Sequence, residues 1–161
     1  MEKGGSDFMK SVFVYYSLTG NGDYVASLLK DQGIDIIKLE TKRPFPKAIA
    51  LQMIAGGGEA LFHKKPKLKI ANFDLSSYDE VILGTPIWNG RTAPAMNTFL
   101  KENPLTGKAI VLVSYSGSGN AHKCEESLSK RFPLKASVAL KAPLTNQAEA
   151  IASLKKAQLL K

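Results

Sequence analysis

The sequence predicts an α/β fold of three layers, with helices on both faces of a doubly wound five-stranded parallel sheet. Three observations carry this. Five β-rich runs alternate with helical ones, which implies right-handed crossovers and parallel pairing. The third and fourth runs are almost wholly apolar, as strands covered on both faces should be. The unusual, small-residue loops all follow strand ends, where open parallel sheets bind ligands.

The first run, Ser11-Val-Phe-Val-Tyr-Tyr-Ser17, ends in a turn. Asp23 to Asp31 reads as helix, with Tyr24, Val25, Leu28 and Leu29 near one face. Ile34 to Leu39 is the second strand and Asp79 to Gly84 the third, followed by helix from Ala93 to Glu102. Lys108 to Ser114 is the fourth strand, followed by helix from Ala121 to Lys130. Ala136 to Leu140 is the fifth. Thr145 and Asn146 are candidate caps of a last helix reaching the C-terminus.

Thr41 to Ser77 is too long for a simple connection. It contains Arg43-Pro-Phe-Pro46, an apolar patch from Ile49 to Ile54, and Gly56-Gly57-Gly58. Pro44 and Pro46 block a helix and the glycines interrupt one. The segment reads as a short helix, a flexible break and a basic loop. It is either a mobile flap or, as we prefer, an ordinary surface excursion.

The chain has 161 residues, 44% hydrophobic and 22% charged, which fits one domain over 1–161 with a flexible end at 1–9. Gly4-Gly5-Ser6 lies in that end. No apolar run is long enough to span a membrane, and Met1 to Lys10 holds no secretion-signal stretch. The single Cys124 excludes an intrachain disulfide and makes a reducing cytoplasm the default location. Cys124 reads as a buried helix residue, not a nucleophile.

The net charge of +8 points to acidic partners or to solvated surface lysines. The densest cluster, Lys64, Lys65, Lys67 and Lys69, has no accompanying aromatic stripe, so nucleic acid is not expected. Gly117-x-Gly119-x-x-His122 misses the dinucleotide fingerprint in its third glycine and its place after the fourth strand. The triphosphate-binding lysine loop, an acidic phosphoacceptor cluster at the first strand end and a nucleophile elbow are all absent. His63 and His122 are isolated, so no metal site is expected.

The first loop, Ser17-Leu-Thr-Gly-Asn-Gly22, passes from strand to helix. Its small residues let backbone N–H groups turn inward, and the helix start adds partial positive charge. Ser17 and Thr19 offer hydroxyl donors and Asn21 an amide. No lysine or arginine lies within it, so a phosphate would be held by dipoles and neutral donors. The alternative is a plain strand-to-helix turn.

The second loop is Gly84-Thr-Pro-Ile-Trp-Asn-Gly-Arg-Thr-Ala-Pro94. Trp88, the sole tryptophan, is expected at the loop tip, where its ring suits stacking on a flat heterocycle. The alternative is a core tryptophan capping the sheet. The third loop, Ser114-Tyr-Ser-Gly-Ser-Gly-Asn120, is small enough for its amides to approach a ring edge.

These three loops, in order and each after its expected strand, resemble the flavodoxin family. Ser-x-Thr-Gly-Asn looks like that family's phosphate loop, although the family usually has Ser or Thr where this chain has Gly22. Gly-x-Pro-x-Trp-x-Gly is similar to its second flavin loop. The resemblance implies the sheet order 2-1-3-4-5, non-covalent flavin mononucleotide (FMN) and no side-chain acid or base. It assigns to the cofactor Ser17, Leu18, Thr19, Gly20, Asn21 and Gly22, then Thr85, Pro86, Ile87, Trp88, Asn89 and Gly90, then Tyr115, Ser116, Gly117, Ser118 and Gly119. Trp88 to Gly90 would hold the peptide that reorients as flavin N5 gains a proton. Tyr115 is the candidate second aromatic.

Two roles are expected in that family: a one-electron carrier docking on a redox protein, or a small reductase taking hydride from NAD(P)H for quinones or similar acceptors. A cofactor-free binding module is the rival reading, suggested by Gly22 alone. Typical flavodoxins are acidic and this chain is basic, so acidic partners and a less negative second reduction potential are expected, with Arg91 contributing locally.

Overall fold

The computed structural model describes residues 8–54 and 65–161. Gly4 to Ser6, Gly56 to Gly58, His63 and Lys64 lie outside the described residues. Phe8 and Met9 are exposed, and Lys10 fastens the chain by donating its N–H to Asp79 Oδ2 at 2.8 Å.

The apolar runs become β1 (Ser11–Tyr15), β2 (Asp35–Lys38), β3 (Glu80–Trp88), β5 (Ala109–Ser116) and β6 (Leu134–Lys141). They form one parallel sheet in the order β2-β1-β3-β5-β6. This is the expected order 2-1-3-4-5 with one extra strand numbered in. The addition is β4 (Arg91–Thr92), antiparallel to the end of β3. The helices are α1 (Asn21–Lys30), α2 (Lys47–Ile54), α3 (Pro94–Glu102), α4 (His122–Ser129) and α5 (Gln147–Lys156).

Alternation along each strand sorts its side chains to opposite faces. Val12, Val14, Val81, Leu83, Ile110 and Leu112 face Met96 and Phe99 of α3 and Cys124 and Leu128 of α4. Phe13, Tyr15, Ile82, Val111 and Val113 face Val25, Ala26 and Leu29 of α1 and Ala150 and Leu154 of α5. The sheet is thus covered on both sides, and all the crossovers leave its carboxyl end free for loops.

Several expectations shift in detail. The third strand does not end at Gly84 but continues through Pro86 to Trp88. Asn146 stands at the N-cap of α5 without capping it; its amide donates to the Lys141 carbonyl at 3.0 Å. α5 ends at Lys156, short of the C-terminus.

The described part of the long excursion is tied to α3. Thr98 Oγ1 donates to the Pro66 carbonyl at 2.9 Å, while Asn103 bonds Phe73 N–H and the Ala71 carbonyl. Ile49 of α2 packs against the core on the same face. Among the described residues, no helix is long and apolar enough to cross a membrane.

Candidate functional site

The loops after β1, β3 and β5 meet at the carboxyl end of the sheet, where the chain winds outward in both directions from β1 and β3. Between them lies a cleft of ≈ 840 Å³. Such a volume suits a small-molecule or cofactor ligand.

One end of the cleft is the start of α1. Gly20, at φ 91, takes the N-cap position that leads the chain into the helix. Ser17 Oγ accepts the Gly22 N–H at 3.0 Å, so its own proton remains available to donate. Thr19 Oγ1 accepts from the Asn21 amide at 3.3 Å. Asn21 Oδ1 in turn accepts the Leu144 N–H at 3.1 Å, tying this loop to the one after β6. Asn21 thus braces the loop through its oxygen, and its amide retains a second N–H. The N–H groups of Leu18, Thr19, Gly20 and Asn21 make no hydrogen bond among the described residues. Unengaged amides at a helix start form a receptor for an anion, and of these four residues Leu18, Thr19 and Asn21 line the cleft.

A second wall is a hairpin that the sequence reading missed. Trp88 pairs with Arg91 across Asn89 and Gly90, whose φ values are 50 and 72. Two consecutive positive φ angles define a type I′ turn, and Asn-Gly is its preferred sequence. That dipeptide was the available signal. Thr85, beneath the hairpin, accepts the Ala93 N–H at 3.0 Å and donates to the Pro86 carbonyl at 3.0 Å, setting the hairpin on α3.

Trp88 is not a loop-tip ring. It is the last residue of β3, 1% exposed, and meets Tyr16 edge-on at 5.9 Å. Its edge still reaches the cleft. Continuation of the strand carries the side chain inward over the core formed with α3. Pro86, Ile87, Asn89 and Gly90 line the cleft beside it.

The third wall is the turn after β5. Ser116 Oγ accepts the Gly119 N–H at 2.9 Å and Ser118 Oγ the Asn120 N–H at 3.2 Å, so these hydroxyls shape their own loop. Gly119 N–H is thereby engaged, and Gly119 does not line the cleft. Ser116, Gly117 and Ser118 do. Tyr115 borders the cleft but is buried, with its hydroxyl donating to the Tyr16 carbonyl. It is thus no exposed second aromatic. Burial, then the charges around Asp23, raises its hydroxyl well above the ordinary tyrosine range.

Gly22 explains why Tyr115 can lie there. A side chain on residue 22 would run into the Tyr115 hydroxyl, with Tyr115 Cζ at 2.9 Å and Ser17 Cβ at 2.8 Å from its first carbon. Gly22 is thus required by close packing.

Of the residues assigned to the cofactor, Ser17, Gly20, Gly22, Thr85 and Gly119 lie behind the cleft wall and the others form it. Five lining residues went unassigned: Asn120, Ala121, His122, Lys123 and Ala142. The first turn of a helix leaving the third loop could have suggested His122 and Lys123. Arg91, expected to act locally, lies on β4 outside the lining, whereas Lys123 is within it. Among the described residues, no aspartate or glutamate lines the cleft.

Comparison with known proteins agrees with this arrangement. The family model described as Flavodoxin matches residues 10–157. Among curated protein sequences, none matches the chain. A Bacteroides eggerthii protein described as a candidate flavoprotein superposes with a TM-score of 0.71 at 22% identity, over 88% of this chain and 96% of that one. A second such protein, from Bacteroides uniformis, gives 0.70 at 20% identity, over 80% and 87%. A flavoprotein in complex with FMN from Lactobacillus acidophilus gives 0.58 at 18% identity, over 80% and 91%. At these identities the superpositions speak for the fold. The family match spans the sheet and all three loops, and the chain belongs to the flavodoxin family.

Proposed function

We propose that this chain binds FMN non-covalently in the cleft and acts in electron transfer. The observation that carries the reading is the run of unengaged N–H groups from Leu18 to Asn21 at the start of α1. Those of the lining residues Leu18, Thr19 and Asn21 offer donors to a dianionic phosphate, together with a helix dipole and without a cationic side chain. The lining residues beyond them suit a flat ring: Pro86, Ile87 and Gly90 on one side, Ser116 to Ser118 on the other. The amides of Gly117 and Ser118 make no hydrogen bond among the described residues and can meet a polar ring edge. FMN, when bound, supplies the redox chemistry that side chains lack.

The chain's own contribution is to hold the phosphate, exclude water from one ring face and set the local charge. We read it as a single domain that exchanges electrons with an acidic redox protein or a small acceptor in the cytoplasm. None of the described residues from Thr41 to Ser77 lines the cleft.

The test is a visible absorption spectrum with and without added FMN, followed by stopped-flow mixing with NADPH and NADH. Flavin bands without direct reduction are expected. Rapid direct reduction would replace the carrier reading with an NAD(P)H-dependent reductase. No FMN uptake would leave a cofactor-free binding module.

A further inference from the structure

We propose that Lys123 sets the potential of the second electron taken up by the bound flavin. The inference rests on the FMN reading above and names a residue of the cleft wall that would act on the ring. Net charge alone is a weak lever, because exposed charges more than about 10 Å from the ring are screened by salt. Lys123 is exposed, but as a residue of the cleft wall it lies nearer a bound ring than charges elsewhere on the surface.

Among the described residues, the cleft wall contains one lysine, no arginine and no carboxylate. Lys123 is the second residue of α4, directly after the turn that forms the third wall. Its stem crosses to the hairpin: Cδ lies 3.1 Å and Cβ 3.3 Å from where a side chain on residue 90 would begin. Gly90 leaves room for that stem. Lys123 thus spans from the third wall to the second. Cys124 and Leu128 anchor α4 in the core, so the base of the lysine is fixed.

The charge balance gives the consequence. The second reduction step adds one electron, from dithionite in a titration or from a redox protein in the cell. When no proton accompanies it to the pyrimidine part of the ring, the net charge of the ring falls from zero to minus one. A neighbouring ammonium stabilises that product more than the neutral form before it. The phosphate charge is constant throughout, so it does not enter the difference. The preceding forms of the ring carry no net charge and feel Lys123 weakly.

The test uses the full chain with FMN and measures both one-electron potentials together with dissociation constants for oxidised and fully reduced FMN. Wild type is compared with Lys123→Met, Lys123→Arg and Lys155→Met, the last removing an equal charge from the end of α5. Lys123→Met is expected to weaken binding of fully reduced FMN about tenfold relative to the preceding form, a shift of about 59 mV to more negative potential. Its affinity for oxidised FMN falls less than that for the fully reduced form, and an unchanged urea midpoint shows that the variant is folded. Lys123→Arg restores the potential, and Lys155→Met leaves it near wild type. Equal shifts in Lys123→Met and Lys155→Met, or no shift in either, would overturn the inference while leaving the FMN reading intact. A wild-type chain that takes up no FMN would overturn both.

Discussion

The hydroxyl of Tyr115 occupies the volume that a side chain at Gly22 would need. The third loop's aromatic and the first loop's glycine are therefore one packing unit. The tyrosine hydroxyl is satisfied by the Tyr16 carbonyl, so the ring cannot swing away without stranding a buried acceptor. Restoring the family's hydroxyl residue with Gly22→Ser is expected to destabilise the fold by about 1–3 kcal/mol through overpacking. It should also weaken FMN binding rather than strengthen it. Urea unfolding of Gly22→Ser, Tyr115→Phe and the double variant measures the coupling. Additive effects would mean that the two positions do not share this space.

Thr19 offers a cleaner probe of the phosphate receptor. Its hydroxyl is at an exposed position, accepts from Asn21 and retains its own proton for a ligand. Thr19→Ala is expected to lower FMN affinity roughly tenfold, in line with loss of one hydrogen bond to a charged group. Riboflavin, which lacks the phosphate, should bind both proteins equally. Fluorescence titration with the two ligands makes the comparison. Equal losses for both would place the effect on the ring rather than the phosphate.

The sheet was legible because β3 and β5 are buried on both faces and read as continuous apolar runs. The site loops were legible because their small residues stand after those runs. The hairpin was obscured by Pro86, which reads as a strand breaker yet pairs in register with Tyr115 inside the parallel sheet. Once β3 was cut at Gly84, Trp88 fell on a loop by default. Its burial depends on Tyr16 and the α3 core, partners that no local pattern reveals. Lys123 was hidden for a similar reason. Its role follows from contact with Gly90, on a different loop.

The Asn89-Gly90 turn makes its own prediction. Gly90→Ala meets two obstacles, a φ of 72 and the Lys123 stem 3.1 Å away. A non-glycine residue held in the left-handed region costs about 1–2 kcal/mol. Urea unfolding should report that loss. The visible bands of the FMN-loaded variant should broaden as the hairpin wall loosens. Asn89→Gly, at φ 50, should leave both unchanged or nearly so. If Gly90→Ala is as stable as wild type, the turn in solution is not type I′.

Cys124 should make the fold sensitive to alkali. Burial, reinforced by the charge of Glu125, pushes its thiol up to about 12 from an ordinary value of 9.0. Below pH 9 the thiol is protonated in folded and unfolded chains alike, and its full contribution to stability is present. As pH rises from 9 towards 12, the unfolded chain releases this proton while the folded chain retains it. Stability then falls by up to about 1.4 kcal/mol per pH unit from this one group. Tyr15, Tyr16 and Tyr115 are raised as well, so they add to the slope at the upper end. Cys124→Ala isolates the cysteine. It should be less stable than wild type near neutrality by about 1 kcal/mol, for the volume lost, and the gap should narrow or reverse as pH rises. Urea midpoints from about pH 8 to about pH 11 give the two curves. Parallel curves would mean that the thiol ionises in the folded chain as readily as in the unfolded one. The same burial predicts that thiol reagents label native Cys124 only through unfolding, at a rate that urea accelerates.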